Sequence, residues 1–473
     1  MPAGSQSADA RTGPRRYAVV GTGARASLYI DALASTYAGT GAVSAWCEPN
    51  PIRMDYHDQV LAAAGLPPPA RYRPDEFGRL LDDHRPDAVI VTSPDHTRAG
   101  YAAQALKAGC DVILEKPVAT TPETARQLAS AAATAPGTLT VGFNYRYAPR
   151  NSALREVIAA GAIGLVTSVH FEWALDTVHG ADYFRRWHRD KEASGGLLVH
   201  KASHHFDLVN WWIADVPSTV YACGALRFYG DDNARRRGLP ARPERSAGAP
   251  GLDSDPFALD LAGDSTLRRL YLEAESEDGY FRDRDVFSPG ITIEDNMAVL
   301  VTYRSGTFLT YSLNAHSPWE GYRVTVNGDA GRAELEVVER GAVASVAAGG
   351  IMGRPAVDPM VAGPVLAGPV AAGTSASRAV SADDPRPVAQ RLLVQRHWEP
   401  AREVPIPAAD GPHAGGDAPL LESVFGDGGG PDPLGRRAGY ADGLASAAIG
   451  LAANESIATG CPVEVANLHI IPG

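Results

Sequence analysis

Proton-carrying side chains cluster beside apolar residues in the stretch GGLLVHKASHHFDLVNWW, residues 195–212. The ionisable residues of this stretch are His200, Lys201, His204, His205 and Asp207. If the stretch is helical, His200, His204 and Asp207 share one face because they stand at i, i+4 and i+7, and the other two residues form an adjacent stripe. The pattern is compatible with a metal site, an acid–base site or a solvated helix face.

A metal site is the less favoured of these interpretations. A His-x3-His pair such as His200 and His204 can bind zinc when it lies on one helix, as in the HExxH motif. The glutamate of that motif is missing and the sequence offers no evident third ligand, so we expect no metal. The acid–base interpretation makes His204 a general base on a substrate hydroxyl, while His200 binds a neighbouring hydroxyl or shares the proton. His205 is expected to lie at the edge of the core, bonded to backbone.

Lys116 is a second candidate for chemistry. It lies in DVILEKPVATTPETARQL, directly after a run typical of a buried strand. In an open α/β sheet the ligand crevice lies outside the carboxyl ends of the strands, so Glu115 and Lys116 would face it. Partial loss of solvation would lower the pKa of Lys116, and its ammonium could hydrogen-bond a reacting oxygen. The alternative is a surface lysine paired with Glu115.

A glycine turn near the N-terminus has the pattern of a dinucleotide site. In VVGTGARA, Gly21 and Gly23 follow a predicted strand and open a predicted helix, with Ala26 at the third position of GxGxxG. Glu48 ends the next strand, where a carboxylate binds ribose hydroxyls and repels a 2′-phosphate. NAD is therefore favoured over NADP, although Arg53 nearby would weaken that preference. The alternative is a tight turn that binds no ligand.

An aromatic and basic run, YFRRWHRDK at residues 183–191, is a candidate wall of the substrate cleft. The substrate contacts expected from it are Tyr183, Arg186 and Trp187. The alternative is a solvated loop with one buried aromatic side chain. Lys201 is expected to pair with Asp207 or to contact an acidic substrate.

The order of apolar runs predicts two domains. Strand-like and helix-like runs alternate up to residue 147, which is typical of a parallel sheet wound on both faces. Later runs at 165–173, 297–317 and 322–338 alternate or pair as hairpins, so we expect a mostly antiparallel sheet with helices on one face. A final helix is predicted at 436–460, with Gly460 at its end.

The domain boundaries follow from the same pattern. We expect a frayed tail at 1–14, a nucleotide-binding domain at 15–147 and a substrate and oligomerisation domain at 148–473. Two insertions are expected, near 231–255 and at the Ala-, Gly- and Pro-rich residues 340–385.

Composition narrows the class of protein further. The net charge is −12 and no Lys/Arg-rich block is present, so no nucleic-acid partner is expected. The four cysteines are scattered without CxxC spacing, which indicates a reduced, intracellular chain, and we expect it in the cytoplasm. The polar N-terminus has no secretory signal, and no apolar run is long enough to span a membrane.

The motifs VVGTGARA, VTSPDHT, LEKPVATT, VGFNYRY, GAIGLVTSV and GGLLVHKASHHFD together resemble the glucose–fructose oxidoreductase/inositol dehydrogenase (Gfo/Idh/MocA) family, in order and spacing. The resemblance covers nearly the whole chain, except the tail and the two insertions. It implies an N-terminal Rossmann domain, a C-terminal α+β domain with a large open sheet, and NAD(P)-dependent oxidation or reduction of a sugar or cyclitol. It also implies a homodimer or homotetramer joined through the open sheet.

The resemblance also implies roles for individual residues. Lys116 matches the family's catalytic lysine, His204 its catalytic histidine, and Asp207 the acid that follows. Together with the turn, the expected cofactor contacts are Gly21, Gly23, Ala24, Arg25, Glu48, Thr92, Ser93, Pro94, His96, Glu115, Lys116 and Asn144. The expected substrate contacts are Lys116, Arg146, Tyr183, Arg186, Trp187, His200, Lys201 and His204. The expected catalytic residues are Lys116, His204 and His200.

Two departures from the family pattern leave the reaction open. His200 stands where an aspartate usually precedes the catalytic histidine by four residues, and Ala202 replaces a common glycine. The first hypothesis is an NAD-dependent dehydrogenase acting on a ring hydroxyl of a sugar, glycoside or cyclitol. The second is NAD-dependent glycoside cleavage through transient oxidation at C3 and elimination, for which a second base would be useful. The third is a non-catalytic NAD-binding regulatory protein.

Overall fold

Two sheets organise the chain in the computed structural model, which describes residues 13–251, 255–343, 386–408, 412–426 and 430–471. The first sheet has seven strands in the order β15-β6-β5-β4-β1-β2-β3, and the second has nine in the order β14-β13-β12-β11-β7-β10-β9-β8-β16. The predicted combination of a parallel Rossmann-type sheet and a mostly antiparallel second sheet is confirmed.

The first sheet is parallel except for its edge strand β15. Its strands are β1 (Arg15–Val20), β2 (Gly41–Cys47), β3 (Ala70–Tyr72), β4 (Ala88–Val91), β5 (Asp111–Leu114), β6 (Leu139–Val141) and β15 (Ala438–Gly439). The helices between them are α1 (Ser27–Ala34), α2 (Pro51–Ala63), α3 (Phe77–His84), α4 (Asp95–Lys107) and α5 (Pro122–Thr134). Successive residues of β1 enter different core clusters, as Val19 and Val20 do, so both faces of the sheet are covered.

Start signals in the sequence set the helices that follow these strands. Asn50 caps α2 by accepting a hydrogen bond from the Ile52 amide, and Pro51 occupies the first turn. Thr121 caps α5 in the same way, again with a proline in the first turn. Each cap fixes the point where the chain leaves the carboxyl edge of the sheet, which is the edge that the candidate site uses.

The second sheet has one parallel pair, β7 with β10, and is otherwise antiparallel. Its strands are β7 (Val166–Asp176), β8 (Pro217–Ala225), β9 (Asn296–Tyr303), β10 (Phe308–Ser317), β11 (Glu320–Gly328), β12 (Gly331–Arg340), β13 (Ala389–Arg396), β14 (Arg402–Val404) and β16 (Val463–Glu464). Exposed and buried residues alternate strictly along β9, so one face packs on helices and the other is open.

Most of the remaining helices pack on the inner face of the second sheet or connect its strands, whereas the helix that contains Phe425 packs on Tyr17 and Tyr29 of the first domain. They are α6 (Pro149–Ala159), α7 (His179–Arg185), α8 (Lys191–Ser194), α9 (Leu197–His200), α10 (Ser203–Ile213), α11 (Asp231–Arg236), α12 (Ser265–Leu267), α13 (Glu275–Asp278), α14 (Pro412–Gly415), α15 (Asp417–Phe425) and α16 (Tyr440–Thr459). Among the described residues, every helix is too short or too polar to cross a lipid bilayer.

The histidine-rich stretch is not one continuous helix, so the prediction of a shared face is wrong. It divides into α9 and α10 at Lys201–Ala202. Helix α16 packs over the break: a Cβ on Gly450 would lie 2.5 Å from the Leu198 carbonyl oxygen. The Ser446 hydroxyl of α16 donates to the Ser203 carbonyl at 2.6 Å. This hydrogen bond lies at the start of α10, where the two helices join.

The final helix begins later than predicted. It starts at Tyr440, not at Arg436, because Ala438 and Gly439 pair with β6 and form the antiparallel edge of the first sheet. Gly460 ends the helix in the left-handed conformation at φ +73°, as the sequence predicts.

Both predicted insertions fall between strands of the second sheet, and their extent stays a prediction. The one near 231–255 lies in the connection from the end of β8 to the start of β9, over residues 226–295, whose described part includes α11, α12, α13 and a π-helical turn at Arg268–Leu272. Of the predicted insertion at 340–385, residues 344–385 lie outside the described residues. The boundary at residue 147 and the association of copies through the open sheet stay predictions.

Candidate functional site

The glycine turn after β1 has a conformation that requires glycine at its first position. Gly21 has φ +84°, and a Cβ there would lie 2.6 Å from the backbone N and Cα of Ser93. The Thr92 hydroxyl donates to the Gly21 carbonyl at 2.6 Å. The loops after β1 and β4 therefore pack directly on each other, and a side chain at position 21 would separate them.

The backbone at Gly23 does not require glycine, because its φ of −73° suits any residue. A Cβ there would have only the Tyr271 hydroxyl within 4 Å, at 3.7 Å. The next amide, that of Ala24, donates to the same hydroxyl at 3.1 Å. The amide predicted to meet a pyrophosphate is therefore directed at an oxygen supplied by the second half of the chain.

Glu48 lies at the end of β2, beside the turn. Its Oε2 accepts from the Thr22 amide at 2.8 Å, and its Oε1 accepts from the Asn50 amide at 3.1 Å. Arg53 Nη1 lies 3.4 Å from the same Oε1. A carboxylate offers about four lone-pair positions, so Oε2 keeps one for a ribose hydroxyl.

These residues line an elongated cavity of about 460 Å³ between the two sheets. Predicted site residues in its wall are Gly21, Gly23, Ala24, Arg25, Glu48, Thr92, Ser93, Pro94, His96, Arg186, Trp187 and His200. Wall residues that the sequence prediction missed include Arg98, His188, Tyr271, Asp278 and Tyr280. The cavity wall contains both the glycine turn and His200 of the histidine stretch, the two regions that a bound dinucleotide would connect.

Glu115 contacts Arg25 instead of a ligand. Its Oε1 accepts from Arg25 Nε and from the Tyr29 hydroxyl, each at 2.7 Å. Burial raises the pKa of Glu115, but the Arg25, Arg98 and Lys116 charges and the Tyr29 hydrogen bond together more than offset this, so the pKa falls below its ordinary value. We therefore correct the prediction that Glu115 binds the cofactor: it holds Arg25 in the cavity wall.

Lys116 is buried at the interface of the two sheets, with 3% of its surface exposed. Its Nζ lies 3.5 Å from His200 Nε2 and 3.4 Å from the His200 carbonyl oxygen. Burial lowers the pKa of Lys116 to about 7, with Asp95 opposing and Lys201 adding to the shift. The expected alternative, a surface lysine paired with Glu115, is wrong because Glu115 is bonded to Arg25.

His200 joins Lys116 to Asp95. Its Nδ1 lies 2.5 Å from Asp95 Oδ2, and Arg98 Nη1 lies 2.7 Å from Asp95 Oδ1. Burial raises the pKa of Asp95 to about 6. Burial and the Lys116 charge lower the pKa of His200 well below its ordinary value, so the imidazole is neutral at pH 7. Asp95, His200 and Lys116 form a continuous polar chain across the domain interface.

Among the described residues, the cluster with metal-ligand spacing includes His200 of the pair considered in the sequence, but has Asp95 and His188 in place of His204. Asp95, His188 and His200 each offer one atom within 4.8 Å of the others. Asp95 already binds Arg98 and His200, and burial and the Arg186 charge lower the pKa of His188. The surrounding cations oppose a divalent ion, so these groups fit proton transfer better than metal binding.

His204 does not line the cavity and is buried beside Phe143 and Tyr145. Its ring stacks on Tyr145 at 4.3 Å, and its Nδ1 is buried without a hydrogen-bond partner among the described residues. Burial, with the Lys116 and Lys201 charges, holds its pKa well below the ordinary value. Lys201 donates to the Tyr145 hydroxyl at 3.2 Å, not to Asp207.

Arg146 has a structural role, which corrects its prediction as a substrate contact. Its Nε and Nη2 donate to the two carboxylate oxygens of Asp207 at 2.8 and 2.6 Å. Nη2 also donates to Asp442, and Nη1 donates to the Gly435 carbonyl. With both Arg146 and Asp207 buried, protein groups take four of the five N–H donors of the guanidinium.

Asn144 and His205 are both bonded to side chains of the protein. Asn144 donates to Asp417 at 2.7 Å and does not line the cavity, so its predicted cofactor contact is not supported by the geometry. His205 lies 2.7 Å from the Tyr311 hydroxyl and stacks on Trp173 at 4.0 Å, so it is a core histidine with a side-chain partner.

The aromatic and basic run divides between wall and core. Arg186 and Trp187 line the cavity, Arg186 with its Nη2 2.9 Å from Asp182 and Trp187 stacked on His188 at 3.6 Å. Tyr183 is 1% exposed, and its hydroxyl lies 3.0 Å from His179 Nε2.

The site residues that the sequence prediction missed differ in whether a pattern in the sequence could have identified them. Asp95 follows β4, next to β5 and Lys116, so the rule that carboxyl ends of adjacent strands meet would have found it. Tyr271, Asp278 and Tyr280 are more than two hundred residues from the turn they cover, and no local pattern points to them.

Comparison with known proteins matches both domains of the chain to models of one oxidoreductase family. Residues 15–143 match the model of the oxidoreductase family's NAD-binding Rossmann fold, and residues 155–352 match its C-terminal alpha/beta domain. A Bacillus subtilis protein named as an oxidoreductase, YteT, is 40% identical over 268 residues, which are 55% of this chain and 62% of YteT.

Two other relatives are more distant. Inositol 2-dehydrogenase of Rubrobacter xylanophilus is 30% identical over 151 residues, 31% of this chain and 39% of that protein. The chain thus spans less than two thirds of each of these curated relatives. The structure of an aldose–aldose oxidoreductase from Caulobacter crescentus, complexed with glycerol, shares the fold with a TM-score of 0.57 and 17% identity, over 95% of this chain and 99% of that one.

The two glycines give a matched pair of substitutions. Gly21→Ala is expected to lower stability by about 2 kcal/mol or more, because its positive φ and the contact with Ser93 are both unfavourable for a side chain. Gly23→Ala should leave the thermal unfolding temperature unchanged but weaken NADH binding about tenfold, because its methyl group would stand in the cavity wall where the pyrophosphate must approach the backbone. Thermal unfolding and NADH fluorescence titration measure both. Equal stability losses would contradict the assignment.

The structural role of Arg146 gives a second test. Asp207→Asn is expected to lower the free energy of unfolding by about 3 kcal/mol, because it leaves a buried guanidinium without its main counter-charge. Asp442→Asn, whose side chain is 41% exposed, should cost about 1 kcal/mol or less. Urea unfolding measures both. Unchanged stability of Asp207→Asn, with weaker substrate binding, would restore Arg146 as a substrate contact.

Proposed function

Because the chain belongs to the Gfo/Idh/MocA oxidoreductase family, we propose that it transfers hydride between NAD and a ring hydroxyl of a sugar, glycoside or cyclitol. The names of the relatives, an inositol dehydrogenase and an aldose–aldose oxidoreductase, support a polyol substrate. The single observation that carries the proposal is the contact of Lys116 with His200 across the domain interface, next to the dinucleotide cavity.

The residues present fit NAD at three points along the cavity. The Gly21–Gly23 turn leaves room for backbone to approach a pyrophosphate, Glu48 offers an oxygen to ribose, and His200 marks the far end. Bound NAD would accept the hydride from the carbon that carries the reacting hydroxyl. The protein groups must then hold the substrate and take up the hydroxyl proton.

Lys116 is the group best prepared to take that proton. With a pKa of about 7, a large share of its amine is neutral at physiological pH and can accept a proton. The resulting ammonium can donate to the neutral Nε2 of His200, whose Nδ1 is anchored on Asp95. In the reverse direction, the ammonium of Lys116 returns the proton to the oxygen of the carbonyl.

His204 is better suited to position the hydroxyl than to remove its proton. Protonated His204 would be buried between the Lys116 and Lys201 charges, and for that reason its pKa is held well below the ordinary value. The neutral ring, fixed by stacking on Tyr145, can instead accept or donate a hydrogen bond to a substrate hydroxyl. We therefore give Lys116 the acid–base role and His204 the orienting role.

The glycoside-cleavage hypothesis is kept on one specific observation. Tyr271, Asp278 and Tyr280 cover the cavity from the second half of the chain, an arrangement that favours a retained cofactor. A retained cofactor is what an oxidation, elimination and reduction cycle needs. Purified protein that releases aglycone from a glycoside without added NAD would support that cycle, whereas net NADH formation would support the dehydrogenase.

The first experiment is a turnover assay. We expect NADH formation, followed by its absorbance, with at least one member of a panel of aldoses, glycosides, uronic acids and cyclitols. NADH binding is measured separately by fluorescence. Binding without turnover on the whole panel would favour the non-catalytic, regulatory hypothesis, and absence of both would refute the proposal.

The acid–base role of Lys116 predicts the pH dependence. Oxidation should need neutral Lys116, so kcat/KM is expected to rise with pH through an inflection near the pKa of about 7. Lys116→Met should lose about a hundredfold or more in kcat/KM and lose this inflection. Lys201→Gln should move the inflection to higher pH, because the Lys201 charge lowers the pKa of Lys116.

Lys107→Met is the matched control, because Lys107 ends α4 on the exposed surface. It should leave both the rate and the inflection as in the unmodified protein. If Lys116→Met keeps the same inflection near pH 7, the titrating group is another residue and the assignment to Lys116 is wrong.

A further inference from the structure

One segment of the excursion between β8 and β9 reaches across to the nucleotide-binding sheet. We call residues 264–280 the cap segment; it contains α12, a π-helical turn at Arg268–Leu272 and α13. Its Tyr271 hydroxyl accepts from the Ala24 amide at 3.1 Å, and its Ala274 carbonyl accepts from Asn50 Nδ2 at 2.9 Å. The cap segment thus contacts the first domain where the ribose of a dinucleotide would lie, beside Glu48.

Arg53 is the residue that the cap segment encloses. It is 9% exposed and lies in the first turn of α2, five residues after Glu48. Its Nη1 lies 2.7 Å from Asp278 and 3.4 Å from Glu48, and its Nε donates to the Leu270 carbonyl at 3.1 Å. The ring centroids of Tyr271 and Tyr280 lie 5.7 and 6.0 Å from the guanidinium carbon.

Asp278 is itself held in place. Its Oδ2 accepts from Asn50 Nδ2 at 2.9 Å, and its Oδ1 accepts from the Tyr280 amide at 3.1 Å. Its side chain is 20% exposed and belongs to the cavity wall. A carboxylate from the second domain is therefore fixed between the guanidinium of the first domain and the space for the nucleotide.

The charges at this end of the cavity decide which nucleotide it accepts. A free arginine one turn after the ribose-binding acid is suited to a 2′-phosphate, because its planar fork can bind phosphate oxygens in pairs. Here Glu48 and Asp278 supply two negative charges against the one positive charge of Arg53. A 2′-phosphate, with a charge of about −1.5 to −2, would meet net repulsion, whereas a ribose diol would not.

We propose that Asp278 is a cofactor-specificity residue: by engaging Arg53, it makes the cavity select NAD over NADP. The selectivity is then set partly by the second domain, and not only by the acid at the end of β2. This inference rests on the nicotinamide cofactor of the proposed function, but not on its substrate or reaction.

The experiment measures NADH and NADPH dissociation constants by fluorescence titration on the full chain. Asp278→Asn keeps the shape of the side chain but removes its charge. It is expected to reduce the NADH preference about tenfold, the effect of one charge-assisted interaction with a phosphate. Asp278→Ser, a second neutral variant, should change the ratio in the same direction, so that the result does not depend on the folding of one variant.

Arg53 supplies the decisive partner variant. In an Arg53→Gln background, Asp278→Asn should give no gain in NADPH affinity, because the group that would bind the phosphate is absent. A structural role of Asp278 in holding the cap segment would weaken both nucleotides alike. Only the specificity role changes the ratio of the two constants in an Arg53-dependent way.

Glu277→Gln is the matched control, because it removes a negative charge from the neighbouring exposed residue of the same helix. It should leave the ratio unchanged. The inference is overturned if Asp278→Asn leaves the ratio as it is, or if Glu277→Gln changes it equally. It is also overturned if the gain persists without Arg53. A protein that binds neither nucleotide would instead refute the proposed function.

Discussion

The candidate site depends on the burial of one amine. Lys116 follows β5 of the first sheet, yet both hydrogen-bond partners of its Nζ, the ring and the carbonyl of His200, belong to the part of the chain that packs with the second sheet. Water stabilises the charged ammonium form of lysine. Buried Lys116 has little contact with water, so its pKa is lowered. Any movement that separated the two sheets would rehydrate Lys116 and return it to the chemistry of an ordinary surface lysine.

The rest of the fold keeps that burial in place. Helix α16 follows the edge strand β15 of the first sheet and then packs over the break between α9 and α10. Ser446 and Asn454 of this helix donate to the carbonyls of Ser203 and Gly195, on either side of the break. The backbone that presents His200 to Lys116 is thus bound by a helix that is anchored on both sheets.

Sequence reasoning succeeds where the determinant is local. Gly21, Glu48 and Lys116 each follow a strand in a parallel sheet, and the chain direction alone places these residues at one edge. It fails where the determinant is a partner far away in the chain. Arg146 has the composition of an anion-binding residue, but Asp207 and Asp442 use its donors. Tyr271 and Asp278 reach the cavity from a segment with no motif of its own, so only the folded chain brings them there.

The placement of β15 has a consequence for how the interface can open. The chain passes from the first sheet to the second after β6, returns to form β15 after β14, and leaves again for β16. Three covalent connections therefore join the two domains, and rotation about a single hinge would separate β15 from β6. Ligands must therefore enter the cavity through movement of segments at the edge of its wall, because three chain crossings hold the two domains together.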